Sequence, residues 1–204
     1  MIGLIDYGIG NIGSVANALT KLEIAYEISG DPVVLSNSRA LILPGVGAAG
    51  AGMKNLKERK LDAVIKKIIE NGVPFLGICL GMQLLFEWSD EDNTNCLGIL
   101  KGKVVKFKKE KNIPQIGWNE MKISNMKDQR SKIVDGIADN SNFYFVHSYY
   151  CIPEDDSVVV GETEYGETFA SLIVQKNIVA TQFHPEKSGK TGLTLLQNFM
   201  KGTQ

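Results

Sequence analysis

Residues 74–83 constrain the fold more than any other part of the sequence; they read Pro-Phe-Leu-Gly-Ile-Cys-Leu-Gly-Met-Gln. The apolar run at residues 73–78 predicts a strand buried on both faces, which is typical of a parallel sheet. Cys79 follows with a glycine two positions away on either side, and a helix is predicted over residues 80–88. A strand that turns sharply into a helix around such a residue presents its side chain at the carboxyl edge of a sheet.

The rest of the N-terminal half alternates short apolar runs with amphipathic segments. Strands are predicted at residues 2–6, 25–28 and 40–43, and a helix capped by Asn11 is predicted to run to about residue 22. A second helix carries Leu61, Val64, Ile65, Ile68 and Ile69 on one face. Between them, residues 44–52 are predicted to form a glycine-rich loop. Alternating strands and helices predict an α/β fold with a parallel sheet.

The second half of the chain adds shorter strands. They are predicted at residues 104–107, 143–151 and 158–160, with a hairpin formed by residues 170–174 and 178–183 and a last helix at residues 191–201. We find neither an internal repeat nor a linker. The 204 residues are therefore expected to form a single domain, 1–204, with some antiparallel strands beside the parallel ones.

Composition excludes several classes of protein. The net charge of −1 argues against broad binding to nucleic acid or to anionic membranes. No apolar run is long enough to span a bilayer, and the first residues lack the pattern of a signal peptide. Three cysteines without metal-ligand spacing indicate cytoplasmic thiols, with no metal site and no disulfide framework.

Cys79 is the first candidate for chemistry. At the start of a helix, a cysteine side chain is favoured in its reactive thiolate form, and a nearby imidazolium favours that form further. A free cysteine in an apolar strand is more often buried and inert, but the two glycines and the break from strand to helix favour a functional role. Cys96 and Cys151 have no such context and are interpreted as structural.

The second candidate segment is Thr-Gln-Phe-His-Pro-Glu at residues 181–186, directly after a predicted strand. Residues two apart on an extended segment point the same way, so Glu186 could hold one nitrogen of His184 and leave the other for Cys79. A base oriented by a third group is the arrangement of a catalytic triad. Taken alone, a surface turn with an incidental histidine explains this segment equally well.

Two glycine motifs allow further interpretations. Residues 8–13 fit the dinucleotide-binding pattern G-x-G-x-x-G, with Asp31 about twenty residues on. The pattern is a weak indication, since Asp6 would lie beside the pyrophosphate and a tight turn also needs glycine. The loop at residues 44–52 could supply backbone N–H groups to an oxyanion or a phosphate, or serve only as a connector.

Three motifs occur together in order: Pro-Gly-Val-Gly at residues 44–47, the Cys79 segment and His-Pro-Glu at residues 184–186. As a set they resemble the triad-type, or class I, glutamine amidotransferases. The resemblance implies a flavodoxin-like fold, with a mixed, mostly parallel sheet flanked by helices. It implies the same chemistry for Cys79 as nucleophile, His184 as base and Glu186 as the group that orients the base, without a cofactor.

The resemblance also implies binding roles for other residues. The oxyanion would be held by the backbone N–H groups of Val46, Gly47 and Leu80. The substrate, glutamine, would be bound at its amino-acid end by Gln83, Ser148 and Tyr149, positions that match the family's pattern.

Within the family the similarity covers essentially the whole chain and points to one branch, the glutaminase subunits of imidazole glycerol phosphate synthase. The motifs that carry it are Asp-Tyr-Gly-Ile-Gly-Asn at residues 6–11, Gly-Trp-Asn at residues 117–119, Tyr-Phe-Val-His-Ser-Tyr at residues 144–149 and Phe-His-Pro-Glu-Lys-Ser at residues 183–188. The branch implies a heterodimer with a (βα)8-barrel cyclase that receives the ammonia in histidine biosynthesis.

The sequence departs from that branch at Gln115, where a histidine is usual, and at Gly13, where many members have a larger polar residue. Related glutaminase subunits supply ammonia to sugar-amidating synthases, and this is the first alternative. A dinucleotide-dependent oxidoreductase that uses residues 8–13 and a binding module without catalysis are the more remote alternatives.

Overall fold

The computed structural model describes residues 1–109, 112–124 and 129–202. Within these ranges thirteen strands join into one connected sheet. The strands are β1 (Ile2–Ile5), β2 (Tyr26–Ser29), β3 (Ala40–Gly45), β4 (Phe75–Cys79), β5 (Trp88–Ser89), β6 (Thr94–Asn95), β7 (Gly102–Lys106), β8 (Gln115–Ile123), β9 (Ser141–His147), β10 (Tyr149–Pro153), β11 (Val159–Tyr165), β12 (Glu167–Gln175) and β13 (Ile178–Thr181). The helices are α1 (Ile12–Lys21), α2 (Pro32–Ser36), α3 (Ala49–Glu58), α4 (Leu61–Glu70), α5 (Leu80–Gln83) and α6 (Gly189–Lys201).

The parallel part of the sheet has the order β2-β1-β3-β4-β13. The hairpin β12–β13 then reverses direction, and the sheet continues through antiparallel pairs to β10 and β7, and through β11 to β8 and β9. The predicted mixed α/β sheet is confirmed. Its antiparallel part is more extensive than the sequence indicated.

Helices cover both faces of the parallel strands, because successive strand residues point to opposite sides. Leu4 of β1 belongs to the hydrophobic core formed with α1 and α6, whereas the next residue, Ile5, belongs to the core formed with α3 and α4. In such a sheet, ligands bind at the edge where the parallel strands end. Here that edge is formed by the last residues of β3, β4 and β13, which come from distant parts of the chain.

The predicted loop at residues 44–52 is wrong in its second half. β3 runs to Gly45, and α3 already begins at Ala49, so the connection between them is only three residues long. The glycines inside α3 allow neighbouring side chains to approach the helix closely. A Cβ atom on Gly52 would lie 3.0 Å from Leu84, and one on Gly50 would lie 2.8 Å from Asp92.

The predicted helix at residues 80–88 is also too long, since α5 ends at Gln83. The carbonyl groups of Leu84, Leu85 and Phe86 accept hydrogen bonds from the N–H groups of residues 97–100. Those carbonyls thus accept hydrogen bonds from outside the helix, and Trp88 joins the sheet as part of β5.

The single strand predicted at residues 143–151 is two strands. β9 pairs with β8, whereas β10 pairs with β7 and β12, and the chain changes partners at Ser148. The strands predicted around residues 2–6, 40–43 and 73–78 and the hairpin after residue 170 are confirmed, with small shifts at their ends. No helix in the described ranges combines the length and the apolar character needed to cross a bilayer.

Candidate active site

Cys79 lies at the junction of β4 and α5 with a backbone φ of 54°, a conformation that residues other than glycine rarely adopt. The two flanking glycines make the turn possible. A Cβ atom on Gly77 would lie 2.8 Å from the carbonyl oxygen of Gly81, and one on Gly81 would overlap the carbonyl oxygen of Leu43. The elbow expected from the sequence is therefore packed directly against β3, and it presents the sulfur at the carboxyl edge of the sheet.

His184 follows β13, the strand that pairs with β4. Its backbone N–H donates to the carbonyl oxygen of Tyr144 at 2.9 Å, and its carbonyl oxygen accepts from Ser188 Oγ at 2.6 Å. The side chain donates from Nδ1 to Glu186 Oε1 at 2.8 Å, and both side chains are buried. Since a carboxylate can only accept at neutral pH, Nδ1 must carry a hydrogen. The structure thus brings His184 and Glu186 together as the sequence predicted.

The remaining nitrogen of His184, Nε2, is left for Cys79. It is buried and has no hydrogen-bond partner among the described residues. Burial acts to lower the pKa of His184, but the interaction with Cys79 and the hydrogen bond to Glu186 outweigh burial and raise the pKa to about 10. The raised pKa favours the protonated imidazolium form of His184.

A cavity of about 560 Å³ opens over Cys79. Its lining contains all the other residues predicted for the oxyanion and the substrate: Val46, Gly47, Leu80, Gln83, Ser148 and Tyr149. The side chains of His184 and Glu186 are buried and are not part of this lining. Gly47 has a φ of +108°, so the turn after β3 depends on glycine at that position. A larger groove of about 850 Å³ runs along β8 and β11 and contains none of the predicted site residues.

Gln83 is buried and its side chain is fixed at one end. Nε2 donates to the carbonyl oxygen of Tyr149 and to Oε1 of Gln182, both at 3.0 Å. With both amide hydrogens engaged, Gln83 offers the cavity only its carbonyl oxygen. Gln182 in turn directs Nε2 to Cys79 Sγ at 3.6 Å. Gln182 lies inside the motif that contains His184, but no feature of that motif indicated a role for it.

Glu91 is a second residue that sequence reasoning missed. It lines the cavity, and its Oε2 accepts a hydrogen bond from the backbone N–H of Ala49 at 2.8 Å. Partial burial raises the pKa of its carboxyl group. Glu91 belongs to a 3₁₀ turn between β5 and β6, without a local motif that would have marked it. A carboxylate at this position could bind an ammonium group.

Within residues 1–109, 112–124 and 129–202, no group of three or more His, Cys, Asp or Glu side chains is arranged to hold a metal ion.

Residues 3–202 match the model of the family described as glutamine amidotransferase class-I. The chain belongs to this family. Among curated proteins, the subunit HisH of imidazole glycerol phosphate synthase from Dehalococcoides mccartyi strain 195 is 48% identical over 202 residues, which cover 98% of this chain and 97% of that protein. The HisH subunit from Aquifex aeolicus is 50% identical over 200 residues, covering 97% and 95%.

Solved structures agree at the level of the fold. A crystal structure of a glutamine amidotransferase superposes with a TM-score of 0.77 at 19% identity and covers 99% of this chain and 98% of its own. The α/β fold of the class I amidotransferases is thereby shown.

The dinucleotide pattern at residues 8–13 has a structural explanation in this amidotransferase. Asp6 Oδ1 accepts a hydrogen bond from the N–H of Gly8 at 2.9 Å, so a carboxylate occupies the place of a pyrophosphate. Gly8 and Gly10 have φ values of 82° and 126°, which the turn requires. Asp31 caps α2 by accepting from the N–H of Val33 at 2.7 Å. None of these features favours an oxidoreductase.

Proposed function

We propose that the chain is the glutaminase subunit of an imidazole glycerol phosphate synthase and hydrolyses glutamine to glutamate and ammonia. The observation that carries the proposal is the hydrogen bond between His184 Nδ1 and Glu186 Oε1 at 2.8 Å, which leaves Nε2 of His184 for Cys79. The curated relatives are named as subunit HisH of imidazole glycerol phosphate synthase, and we infer from this name that the chain acts in histidine biosynthesis. We further infer that residues 1–204 act as one glutamine amidotransferase domain.

The first half of the reaction starts from Cys79 as the thiolate and His184 as the imidazolium. The Cys79 thiolate attacks the side-chain amide carbon of glutamine, and a C–S bond forms as the carbonyl oxygen becomes an oxyanion. Backbone N–H groups of Leu80 and of the Val46–Gly47 turn stabilise this oxyanion, each contributing about 3 kcal/mol to lowering the barrier. His184 then gives its Nε2 proton to the departing nitrogen, the C–N bond breaks, and ammonia and a glutamyl thioester result.

The second half regenerates the site. His184, now neutral, takes a proton from a water molecule that attacks the thioester carbon. The C–S bond breaks, the thiolate of Cys79 leaves, and glutamate is released. Glu186 keeps Nδ1 of His184 protonated throughout, so Nε2 is the nitrogen that exchanges protons in both halves.

Recognition of glutamine follows from the groups that face the cavity. The carbonyl oxygen of Gln83 and the carboxylate of Glu91 accept hydrogen bonds and suit the α-ammonium group of the substrate. Ser148 and Tyr149 line the same wall and provide polar groups to the α-carboxylate end. The cavity is large enough for one amino acid of this size and leaves its side-chain amide facing Cys79.

The ammonia needs a closed route, and the surface around the cavity suits a docked partner. Ile116 and Trp118 are 64% and 58% exposed on β8, whose preceding residue Pro114 lines the cavity. Exposed large apolar side chains in a cluster mark interaction sites. We infer that the (βα)8-barrel cyclase covers this surface, which we call the β8 ridge (Pro114, Ile116 and Trp118), and receives ammonia from the mouth of the cavity.

The decisive measurement is glutamate release from glutamine by this chain mixed with the candidate cyclase, with and without the ribonucleotide substrate of the cyclase. Cys79→Ala is the control. Release that needs the cyclase and disappears in the variant supports the proposal, and formation of imidazole glycerol phosphate completes it. Release with a sugar-amidating synthase but not with the cyclase would assign the chain to that pathway. Release that persists in Cys79→Ala would overturn the mechanism.

A further inference from the structure

A chain of buried hydrogen bonds leads from the wall of the cavity to the reacting sulfur. The carbonyl oxygen of Tyr149 accepts from Gln83 Nε2 at 3.0 Å, and it also accepts from His147 Nδ1 at 2.8 Å. Gln83 Nε2 donates again to Gln182 Oε1 at 3.0 Å, and Gln182 Nε2 reaches Cys79 Sγ at 3.6 Å. Gln83, Gln182 and His147 are all buried.

The carbonyl oxygen of Tyr149 fixes which groups donate and which accept in this series of hydrogen bonds. A backbone carbonyl oxygen can only accept, so the end of Gln83 that faces Tyr149 must be its NH₂ group. The second hydrogen of that group then requires an acceptor, which fixes Oε1 of Gln182 toward Gln83. Gln182 is consequently left with its NH₂ group toward Cys79. Turning either amide over would place two donors or two acceptors against each other in a buried environment, at a substantial energetic cost.

Cys79 Sγ therefore faces two polar groups besides His184. The carbonyl oxygen of Val146 lies at 3.9 Å and favours the thiol, which can donate to it. The amide of Gln182 favours the thiolate, which can accept from it. The backbone N–H of Gln182 donates to the carbonyl oxygen of Ser171 at 2.9 Å, so the residue is also anchored through its main chain.

We propose that Gln182 is a further catalytic residue, whose side-chain amide donates to Cys79 Sγ and stabilises the thiolate in the resting site and as the leaving group of the second half-reaction. This inference rests on the proposed function, because it assigns a role toward the nucleophile of that reaction. Gln182 does not line the cavity, so it acts on the sulfur without contacting glutamine.

The test is the pH dependence of alkylation of Cys79 by iodoacetamide in the full chain, followed by peptide mass spectrometry. Gln182→Met keeps the length of the side chain and removes the donor. Its alkylation midpoint is expected to rise by about one pH unit, a tenfold change in the thiolate–thiol equilibrium. Gln175→Met is the matched control, since Gln175 is the partly exposed last residue of β12 and pairs with the first residue of β13. It should leave the midpoint unchanged.

A second variant guards against failure of Gln182→Met to fold. Gln182→Glu keeps an acceptor for Gln83 Nε2 and, once ionised, directs oxygen lone pairs at the sulfur. Its midpoint should rise at least as much as that of the methionine variant. A space-filling role for Gln182 predicts lower thermal stability with an unchanged midpoint, and that result in either folded variant overturns the proposal.

Steady-state kinetics with the partner give an independent readout. We expect kcat for glutamate release to fall about tenfold in Gln182→Glu, while KM for glutamine changes by less than about threefold, because the acceptor for Gln83 is retained. A rise in KM with unchanged kcat would assign Gln182 to substrate binding and contradict the proposal. Absence of glutamate release by the wild-type chain in the presence of the cyclase would instead reject the proposed function itself, so the two failures are distinguishable.

Discussion

The carboxylate of Glu186 reaches back two positions along the chain and accepts a hydrogen bond from Nδ1 of His184 at 2.8 Å, with both side chains buried. Pro185 lies between them, in a 3₁₀ turn that brings both side chains to the same side. His184 therefore has one nitrogen committed to Glu186 and one available to the sulfur. The orientation of the base is determined locally, by three consecutive residues.

Glu186→Gln should reduce glutamate release less than Cys79→Ala does. The side-chain amide introduced by Glu186→Gln can still accept a hydrogen bond from Nδ1 of His184. The substitution removes a negative charge that stabilises the imidazolium, whereas Cys79→Ala removes the nucleophile. Rates of the two variants, each measured with the partner present and well above background, check the ranking. Equal losses would show that Glu186 does more than orient the base.

Iodoacetamide at neutral pH should label Cys79 at least about tenfold faster than the other two cysteines. Cys79 lines an open cavity beside His184. Burial raises the pKa of Cys96 to about 11 and raises that of Cys151 as well, which keeps both as unreactive thiols. Time-resolved peptide mapping provides the rates, and Cys79→Ala provides the background. Labelling of all three cysteines at one rate would contradict the special environment of Cys79.

Acid should destabilise the protein through His147. Burial lowers the pKa of His147 to about 4 from its usual 6.5, against the hydrogen bond to Tyr149, which raises it. The folded state thus favours the neutral ring. The resulting stabilisation is complete above pH 6.5 and is lost as pH falls toward 4, by about 3 kcal/mol in total. Urea unfolding from pH 4 to 7.5 should show a flatter profile for His147→Gln than for the wild type; parallel profiles would refute this assignment.

Trp118→Ala should weaken binding of the cyclase about 30-fold, which corresponds to about 2 kcal/mol for a large aromatic residue at the centre of an interface. Trp118 is 58% exposed and packs its ring against Tyr144 with centroids 6.1 Å apart. Val33→Ser is the matched control, since Val33 is 69% exposed on α2 and lies outside the β8 ridge. Titration calorimetry measures both. Equal affinity of the two variants would place the partner elsewhere.

Gly81→Ala should destabilise the elbow, because a Cβ atom at this position would overlap the carbonyl oxygen of Leu43. We expect a loss of more than about 2 kcal/mol in the free energy of unfolding. Gly13→Ala is the contrasting change. Nothing lies within 4 Å of a Cβ atom at Gly13, in the first turn of α1, so alanine should stabilise the protein by about 0.5–1 kcal/mol. Denaturant unfolding of both variants tests the pair.

The sequence predicted those parts of the fold whose signal is local. The apolar run of β4, the amphipathic pattern of α4 and the Asn11 cap of α1 each specify one element without help from distant residues. The ends of α5 and the start of α3 depend on contacts with residues remote in the chain. Periodicity does not contain that information, since it is the tertiary packing that decides where those helices begin and end.

The same division holds for the site. Cys79, His184 and Glu186 lie in short motifs with glycines or a proline at fixed spacing, so their type and order were enough to single them out. Glu91 and Gln182 carry no such mark. Glu91 reaches the cavity because β6 and the 3₁₀ turn before it pack beside α3, and Gln182 contacts the sulfur directly while Gln83 of α5 orients its amide. Only the folded arrangement identifies them.

Gln182 lies 103 positions after Cys79, and β13 joins the sheet between β4 and β12. A growing chain therefore contains Cys79 long before it contains His184 or Gln182. On the proposed mechanism, a chain that terminates before β13 lacks His184 and Glu186 and does not hydrolyse glutamine. Glutamine hydrolysis on this mechanism requires β13 and the residues that follow it, so an unfinished chain does not release ammonia.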